Sequence, residues 1–435
     1  MELLKYRTHY AMQIKPEMQG ERVIVAGWVH TKRDLGGKKF IVLRDKSGSI
    51  QLIISKHESE KSVIDAFYDI SKESVIMVEG IVKKSDKAPR GVEIFPLKIT
   101  LLNKASPILP LDVSEKVPVD MDTRLNARIL DLRRPRVQAI FKIRDNVLKI
   151  IRTVLREKGF IEVNTPKIIA TATEGGAQLF PVLYFGREAF LAQSPQLYKE
   201  LLASAFERVF EIGPAYRAEE SDTPFHLSEF ISVDIEAAFI DYEGAMDILE
   251  EVVVRVLDGV RRENIEELEL IGHEPPKISG KIPRITYDEA IEILQREGFD
   301  IKYGEDISTP AQRKLGEIIE GFYFIKDWPT DTRPFYTMPK EDNPNLCEAF
   351  DLMYGWLEIA SGGQRIHRKQ ELIRRLEQQG LSPEGFRHHL KCYDYGMPPH
   401  SGWGLGLARL LMAITARQNI REVVLYPRDR WRLTP

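Results

Sequence analysis

Cysteine is scarce in this sequence, with only Cys347 and Cys392 among 435 residues, and the two form no Cys-x-x-Cys pair. A disulfide framework or a cysteine-ligated zinc site is therefore disfavoured. Long apolar runs are lacking as well, and the first residues, MELLKYRTHYAMQ, have no apolar core of the signal-peptide kind. We therefore expect a cytoplasmic protein with no membrane segment.

A large excess of charge of either sign is also lacking, because the net charge is only −3. The charges are nevertheless unevenly distributed. Residues 1–105 hold 19 Lys and Arg against 13 Asp and Glu, whereas the remainder holds 43 against 52. This asymmetry indicates a basic N-terminal module on an acidic body. With 43% hydrophobic residues, the chain is long enough for two or three domains with sizeable cores.

Short β-branched runs separated by turns fill residues 21–103, and a helical stretch, SEKSVIDAFYDISK, precedes the fourth run. Five strands with one intervening helix predict a small barrel of the oligonucleotide-binding (OB) type. We assign this barrel to residues 1–104. The proline-rich stretch that follows, beginning ASPILPLDVSEKVPVD, predicts a hinge or linker over residues 105–135.

The pattern changes at about residue 136, where apolar residues recur at helical spacing until Gly159, a residue suited to end a helix. Strand-like and helical segments then mix without regular βαβ alternation. This predicts an α+β domain over residues 136–435 with a largely antiparallel sheet flanked by helices. Residues 258–330 carry no distinctive pattern, and we interpret them as an insertion in that domain.

A predicted hairpin, AYRAEESDTPFHLSEF at 215–230, places Arg217 directly after an apolar run. A buried arginine needs an acidic partner or an anionic ligand, because an uncompensated buried charge is very costly. Residues i and i+2 share one face of a strand, so an internal ion pair between Arg217 and Glu219 is the alternative to ligand binding.

Two further stretches carry candidate anion and metal chemistry. EAFDLMYGWLEIASGGQR, at 348–365, supplies two carboxylates and a hydroxyl (Asp351, Glu358 and Ser361) that can hold a phosphate-bound Mg²⁺. A solvated loop with unrelated acids is the alternative. GMPPHSGWGLGLARLLMAIT, at 396–415, places glycines before Arg409, and this arrangement suits either anion binding or close helix packing.

The order of FIEVNTPKI, FEIGPAYRAEE with FHLSEFISVD, and GWGLGLARL resembles the three signature motifs of class II aminoacyl-tRNA synthetases. Together with the N-terminal barrel and the stretch QSPQLYKE, the chain is similar over its full length to aspartyl-tRNA synthetases of the archaeal type. The resemblance implies activation of L-aspartate by ATP with Mg²⁺, transfer to tRNA(Asp), and a homodimer with Pro166 of the first motif at the subunit boundary.

The resemblance also implies roles for particular residues around ATP. Arg217 and Arg409 are the expected catalytic residues, on the α- and γ-phosphates, Glu219 contacts the adenine edge, and Phe230 stacks on adenine. The metal ligands are expected to be Asp351, Glu358 and Ser361. The full set expected to bind ATP is Arg217, Ala218, Glu219, Phe225, His226, Leu227, Phe230, Glu358, Gly406, Leu407, Ala408 and Arg409.

For the amino acid, the resemblance implies that Lys199 and Arg365 hold the side-chain carboxylate of aspartate. Glu174, in the loop TATEGGAQLF, and Asp234 would hold its ammonium group. The full set expected to bind aspartate is Glu174, Gln196, Leu197, Tyr198, Lys199, Arg217, Asp234, Ser361 and Arg365. Two positions depart from the family pattern: Phe225 replaces an arginine, and Ala408 replaces a glutamate.

In the barrel, the resemblance implies that Phe40 stacks on the central uracil of the anticodon and that Gln51 hydrogen-bonds to it, with Arg33 and Arg44 on the same face. A solvated basic loop with Phe40 in the barrel core is the alternative. His30 and Pro89 replace the tryptophan and lysine of strictly tRNA(Asp)-specific relatives. They therefore indicate a nondiscriminating enzyme that also aspartylates tRNA(Asn), with an amidotransferase acting downstream, although Pro89 could instead merely shape a turn.

Three rival functions stay open at this stage. One is an asparaginyl-tRNA synthetase, and another is a tRNA-independent, synthetase-derived amino-acid ligase, which the N-terminal barrel disfavours. The third is a binding protein that has lost catalysis, and only Phe225 and Ala408 favour it.

Overall fold

A computed structural model describes residues 6–170, 179–220 and 222–435. Contacts group the chain into two compact units, Met1–Arg134 and Pro135–Pro435. The stretch predicted as a hinge, 105–135, thus groups with the first unit up to Arg134. Within the described ranges, no helix combines the length and the apolar character needed to cross a bilayer.

The first unit contains a closed five-stranded barrel with the strand order β1-β2-β3-β5-β4. The elements of this unit are β1 (Arg22–Asp34), β2 (Lys38–Asp45), β3 (Gly48–Ser55), α1 (Lys61–Asp69), β4 (Val75–Lys84), β5 (Val92–Asn103), α2 (Met121–Asn126) and α3 (Arg128–Asp131). The predicted OB-type barrel, with a helix before its fourth strand, is confirmed.

Side-chain alternation along β2 shows how this barrel separates its core from its binding face. Ile41 and Leu43 point into the core, whereas Phe40 and Arg44 lie partly buried on the opposite face of the strand. In β1, a bulge at His30 interrupts the pairing with β2. Bulges of this kind redirect one side chain out of the regular ladder.

The second unit is built on a sheet with the strand order β12-β13-β14-β15-β16-β11-β10-β6, beside a small sheet ordered β7-β9-β8. Its elements are α4 (Pro135–Glu157), β6 (Ile161–Glu162), β7 (Ile168–Ile169), β8 (Pro181–Tyr184), β9 (Arg187–Leu191), α5 (Gln196–Phe206), β10 (Arg208–Tyr216), β11 (Glu229–Ala238), α6 (Tyr242–Glu263), α7 (Ile265–Ile271), β12 (Arg284–Thr286), α8 (Tyr287–Arg296), α9 (Thr309–Ile318), β13 (Phe322–Lys326), β14 (Ala349–Tyr354), β15 (Leu357–Arg365), α10 (Lys369–Gln378), α11 (Arg387–Tyr393), β16 (His400–Gly406) and α12 (Leu407–Thr415). The two pairings at the edges of the large sheet are parallel and the others are antiparallel, which confirms the predicted fold class.

Helices α4, α6 and α12 cover the large sheet through one apolar core. On α4, Ile143, Val147, Ile151 and Val154 form a fully buried stripe at helical spacing. The helix ends at Glu157, and Gly159 follows with a φ of +81°. This left-handed geometry favours glycine and explains why the helix stops there.

The segment 258–330, which we interpreted as an insertion, contributes to the large sheet. Strand β13 pairs with β14, and β12 pairs in parallel with β13 at the sheet edge. Helices α8 and α9 pack on these strands through a separate apolar cluster that includes Tyr287, Leu294 and Trp328. This segment therefore extends the body that carries the candidate site.

Candidate active site

Arg217 lies at the end of β10, where the β10–β11 hairpin begins to close. Its main-chain N–H donates to the carbonyl oxygen of Ser228 at 2.9 Å, and its guanidinium carbon lies 5.4 Å from the centre of the Phe230 ring. Within the described ranges, no carboxylate lies at ion-pair distance from Arg217, so the alternative of an internal pair with Glu219 finds no support. Both side chains instead line the same cavity.

Arg409 lies in the first turn of α12, directly after the glycine-rich strand β16. Its Nη1 donates to the main-chain oxygen of Glu358 at 3.0 Å and lies 3.6 Å from the Glu358 carboxylate. A Cβ atom at Gly404 would lie only 3.1 Å from Oδ1 of Asp234. The glycine therefore keeps the cavity open beside Asp234.

The predicted metal ligands lie on β14 and β15. Asp351 is directly opposite Ser361 in the antiparallel pairing, and a bulge in β15 follows. Residues three apart on a regular strand would face opposite sides, but with this bulge Glu358 and Ser361 both line the cavity. Asp351 lies behind this lining and shares a hydrogen bond with Ser361. Carboxylate and hydroxyl oxygens are the kind of donor that Mg²⁺ prefers.

Asp351 is held by an arginine that the sequence analysis missed. Arg333 donates two hydrogen bonds to the Asp351 carboxylate, at 3.2 and 2.5 Å, and its guanidinium carbon lies 4.0 Å from the Trp328 ring centre. Burial raises the pKa of Asp351, and the positive charge of Arg333 opposes that shift. Arg333 lies in WPTDTRPFYTMP, outside the three motifs, where no periodic pattern marks it.

Two cations and two acids form a buried cluster at the other end of the cavity. Lys199 Nζ lies 3.0 Å from Asp234 and 3.5 Å from Glu236, and Arg365 Nε lies 3.1 Å from Glu236. The cations that we expected to hold a substrate carboxylate are thus already paired within the chain. Glu236 was missed, although its position two residues after Asp234 places both on one strand face.

These elements enclose one cavity of about 420 Å³. The sequence-predicted residues that line it are Gln196, Lys199, Arg217, Glu219, Phe225, His226, Leu227, Phe230, Asp234, Glu358, Ser361, Arg365, Gly406, Ala408 and Arg409. Those that do not line it are Leu197, Tyr198, Ala218, Asp351 and Leu407. Leu197 and Leu407 pack in apolar clusters, and Glu174 lies outside the described residues.

Both positions that depart from the family pattern make apolar contacts. The ring of Phe225 meets Trp356 edge to face, with 4.4 Å between their centres, and Ala408 is buried in the core under α12. His226, next to Phe225, shares a 2.6 Å hydrogen bond with the hydroxyl of Thr223. Burial lowers the pKa of His226, and the positive charge of Arg409 adds to that effect.

The barrel carries a second candidate site, on the outward face of β2 and β3. Phe40 is only partly buried, and Gln51 shares its face because Gln51 lies opposite Val42. The Nε2 of Gln51 donates to Glu93 at 2.8 Å, so its Oε1 is left as an acceptor. A partly buried ring beside an amide acceptor can stack a base and bind the N–H of uracil. Arg33 lies opposite Phe40 on β1.

The other predicted barrel residues, His30, Arg44 and Pro89, differ in their surroundings. Arg44 is held inside the unit, since Nη2 donates to Glu73 at 2.9 Å and Nη1 to Nδ1 of His30 at 3.1 Å. Pro89 is exposed and begins a short 3-10 turn, Pro89–Gly91, between β4 and β5. Such a position suits the turn-shaping role that we kept open for Pro89.

One end of the cavity is suited to phosphates and the other to an amino acid, and the chain also carries an OB barrel. This combination is typical of class II synthetases. The chain matches the family of "tRNA synthetases class II (D, K and N)" over residues 120–430, and "OB-fold nucleic acid binding domain" over residues 23–102. The chain belongs to this class II family. It is therefore an ATP-using aminoacyl-tRNA ligase, from a class that typically also uses a divalent metal.

Among particular proteins, the chain is 55% identical over 431 residues to an "Aspartate--tRNA(Asp/Asn) ligase" of Sulfurisphaera tokodaii, covering 99% of this chain and 100% of the relative. It is 53% identical over 433 residues to one of the same name from Methanocaldococcus jannaschii, covering 99% and 98%. Its fold matches the crystal structure of asparaginyl-tRNA synthetase from Pyrococcus horikoshii complexed with asparaginyl-adenylate, with a TM-score of 0.91, 33% identity, and coverage of 98% and 99%.

Proposed function

We propose that the protein is an aspartate–tRNA(Asp/Asn) ligase. It activates L-aspartate with ATP, releases pyrophosphate, and transfers the aspartyl group to the 3′ end of tRNA(Asp) and of tRNA(Asn). The observation that carries the proposal is one cavity in which Arg217 and Phe230 adjoin the buried cations Lys199 and Arg365. Relatives with 55% and 53% identity over nearly the whole chain bear this name.

In the proposed first step, the hairpin and α12 hold ATP. Adenine stacks on Phe230, Glu219 accepts from the adenine amino group, and Arg217 and Arg409 donate to the phosphates. The α-carboxylate of aspartate attacks the α-phosphorus in line, forming a C–O–P anhydride while the bond to pyrophosphate breaks. The attacking carboxylate is already ionised, so no general base is needed, and Arg217 stabilises the charge that develops on the phosphoryl group.

In the proposed second step, the terminal ribose hydroxyl of the tRNA attacks the carbonyl carbon of the anhydride, and AMP leaves. Mg²⁺ suits the phosphate end, because Glu358 and Ser361 line the cavity there and Asp351 hydrogen-bonds to Ser361 from behind. When bound, the cation neutralises charge on the phosphates. Arg333 holds the Asp351 carboxylate in place for this purpose.

We propose that aspartate binds by an exchange of ion-pair partners. Its ammonium group takes Asp234, which releases Lys199 to join Arg365 on the side-chain carboxylate, while Glu236 stays with Arg365. Asparagine offers a neutral amide in the same place and would leave a buried cation without a counter-charge. Such a loss costs about 3–5 kcal/mol, which favours aspartate.

For the tRNA, Phe40 and the Oε1 atom of Gln51 bind the central uracil, which the anticodons of tRNA(Asp) and tRNA(Asn) share. His30 and Pro89 support the nondiscriminating form. Aspartyl-tRNA(Asn) is then a substrate for an amidotransferase.

We also propose a homodimer, with Pro166 at the subunit boundary. The small sheet beside it leaves Ile168, Leu183 and Phe185 exposed, at 52%, 85% and 89% of their full area. Exposed apolar groups of this density mark interaction surfaces, and a second copy of the chain is the proposed partner. Sedimentation of Leu183→Glu with Phe185→Glu should yield monomers, and a wild-type monomer would contradict the proposal.

One observation favours a second candidate, because a solved asparaginyl-tRNA synthetase matches the fold with a TM-score of 0.91. ATP–pyrophosphate exchange driven by aspartate or by asparagine separates the two functions. Side-by-side charging of tRNA(Asp) and tRNA(Asn) transcripts then tests the breadth of tRNA choice. Exchange only with asparagine would overturn the proposal.

A further inference from the structure

Arg44 does not extend from the barrel face as a free cation. Its side chain is only 11% exposed, with Nη2 donating to Glu73 at 2.9 Å and Nη1 to Nδ1 of His30 at 3.1 Å. An arginine whose guanidinium is bound on two sides is not free to bind a nucleotide directly. Its hydrogen bonds instead fix the positions of Glu73 and His30.

The contact with Arg44 fixes the chemical form of His30. A guanidinium only donates, so Nδ1 of His30 must accept, and the ring is then neutral with its hydrogen on Nε2. Burial and the positive charge of Arg44 lower the pKa of His30, in agreement with a neutral ring. Nε2 is not among the buried atoms that lack a partner, and no described residue binds it, so this N–H faces solvent.

Glu73 anchors the arrangement from behind. Its side chain is 3% exposed, and its Oε2 accepts from Arg133 at 3.0 Å as well as from Arg44. Its main-chain N–H donates to Val29, the residue before the bulge, and its φ of +64° is unusual for a residue other than glycine. Backbone and side chain of Glu73 therefore both hold the surroundings of His30, at a cost in local strain.

We propose that Arg44 is a positioning residue for tRNA choice, which, held by Glu73, presents His30 to the anticodon loop as a neutral ring with one N–H donor. This inference rests on the proposed tRNA(Asp/Asn) function. A single N–H donor is satisfied by any base oxygen in reach, and cytosine and uracil both carry O2. The codons of aspartate and asparagine differ only in their first base, so the anticodons differ only by cytosine or uracil. A lone N–H donor therefore tolerates both bases.

A double-mutant cycle with His30→Ala, Arg44→Met and the combined variant tests the proposal. The readout is kcat/KM for tRNA(Asp) and tRNA(Asn) transcripts, normalised to active sites counted by aspartate-dependent exchange, which needs no tRNA. We expect each single change to lower kcat/KM by roughly five- to tenfold for both tRNAs, as one lost hydrogen bond would. The combined variant should lose no more than either alone. Multiplied losses would show that the two residues act independently and would overturn the proposal.

Two further variants keep this test decisive. Arg44→Lys retains the charge but lacks the two separated nitrogens with which Arg44 reaches His30 and Glu73. It should therefore behave like Arg44→Met, even if the latter folds poorly. Glu79→Gln removes a surface pair with Arg22 on the same barrel and should change kcat/KM by less than about twofold. If wild type fails to charge tRNA(Asn), the proposed tRNA breadth is wrong, yet the cycle on tRNA(Asp) still decides whether His30 depends on Arg44.

Discussion

Glu200 accepts a 2.6 Å hydrogen bond from Nε2 of Gln196, one helical turn earlier on α5. Its other oxygen accepts from the hydroxyl of Tyr393 at 2.9 Å. Although burial opposes ionisation, the nearby rings of His389 and His400 hold the pKa of Glu200 well below its usual value. Because a carboxylate only accepts, the amide of Gln196 must turn its Oε1 away from Glu200. Gln196 lines the cavity, so we expect this oxygen to serve as an acceptor for the substrate ammonium group.

Replacing Glu200 with Gln should therefore weaken aspartate binding through Gln196. We expect KM for aspartate to rise about fivefold to tenfold, with kcat changed by less than about twofold, because the amide of Gln196 loses its fixed orientation. ATP–pyrophosphate exchange measures both constants. Inhibition by succinate, which is aspartate without its ammonium group, should be unaffected.

Tyr393→Phe is the matched control, because it removes the bond to the other oxygen of Glu200 and leaves Gln196 in place. It should lower thermal stability without raising KM for aspartate. An equal weakening of succinate and aspartate by Glu200→Gln would mean that Glu200 supports the whole pocket rather than Gln196.

Periodic patterns made much of the fold and part of this site predictable. The helical stripe on α4 and the strand runs of the barrel follow directly from apolar spacing. The motifs mark Arg217 and Arg409, and the acidic stretch at 348–365 marks Glu358. Glu200 and Arg333 could not be found in this way. Their roles depend on contacts with residues distant in sequence, such as Tyr393, and nothing local distinguishes a buried, paired charge from a solvated one.

The buried cluster predicts how Arg365 contributes to the choice of amino acid. Arg365→Gln leaves Glu236 with Lys199 alone, at 3.5 Å, and in the proposed binding mode it leaves the substrate carboxylate without one partner. We expect aspartate-dependent exchange to fall by about two orders of magnitude or more, because uncompensated buried charges cost about 3–5 kcal/mol. Arg368→Gln is the control, since Arg368 pairs with Glu371 on the exposed surface.

The same variant should discriminate less against asparagine. The ratio of exchange rates with aspartate and asparagine is measured at equal active-site concentration. If Arg365→Gln leaves that ratio unchanged while lowering both rates, Arg365 stabilises the pocket without reading the side chain.

Metal dependence is predicted from the Arg333–Asp351 contact. Chelation with EDTA should abolish exchange, and added Mg²⁺ should restore it. Arg333→Lys keeps the positive charge but loses the two-point hold on Asp351, so the Mg²⁺ concentration for half-maximal exchange should rise by about tenfold or more. Lys340→Met, which breaks a nearby pair with Asp327, should leave that concentration unchanged. An unaltered Mg²⁺ dependence in Arg333→Lys would mean that the position of Asp351 does not affect metal binding.

Phe40 provides the test of anticodon reading by the barrel. Phe40→Ala should lower kcat/KM for tRNA(Asp) by about 5- to 150-fold, with rates normalised to active sites. This factor corresponds to about 1–3 kcal/mol, the contribution of one stacked base. Tyr68→Ala is the control, because Tyr68 is an exposed aromatic residue on α1 of the same unit.

The proposed reading of the central anticodon base beside Phe40 is tested by changing the tRNA. A transcript with cytosine in place of the central uracil should already lack the interaction with Oε1 of Gln51, because cytosine carries no N–H at the corresponding ring position. Gln51→Ala should therefore cost little on that transcript and much on the normal one. Equal losses of kcat/KM on both transcripts would mean that Gln51 does not contact the central base. A hydrogen-bond acceptor distinguishes uracil from cytosine only if it contacts the ring N–H of uracil.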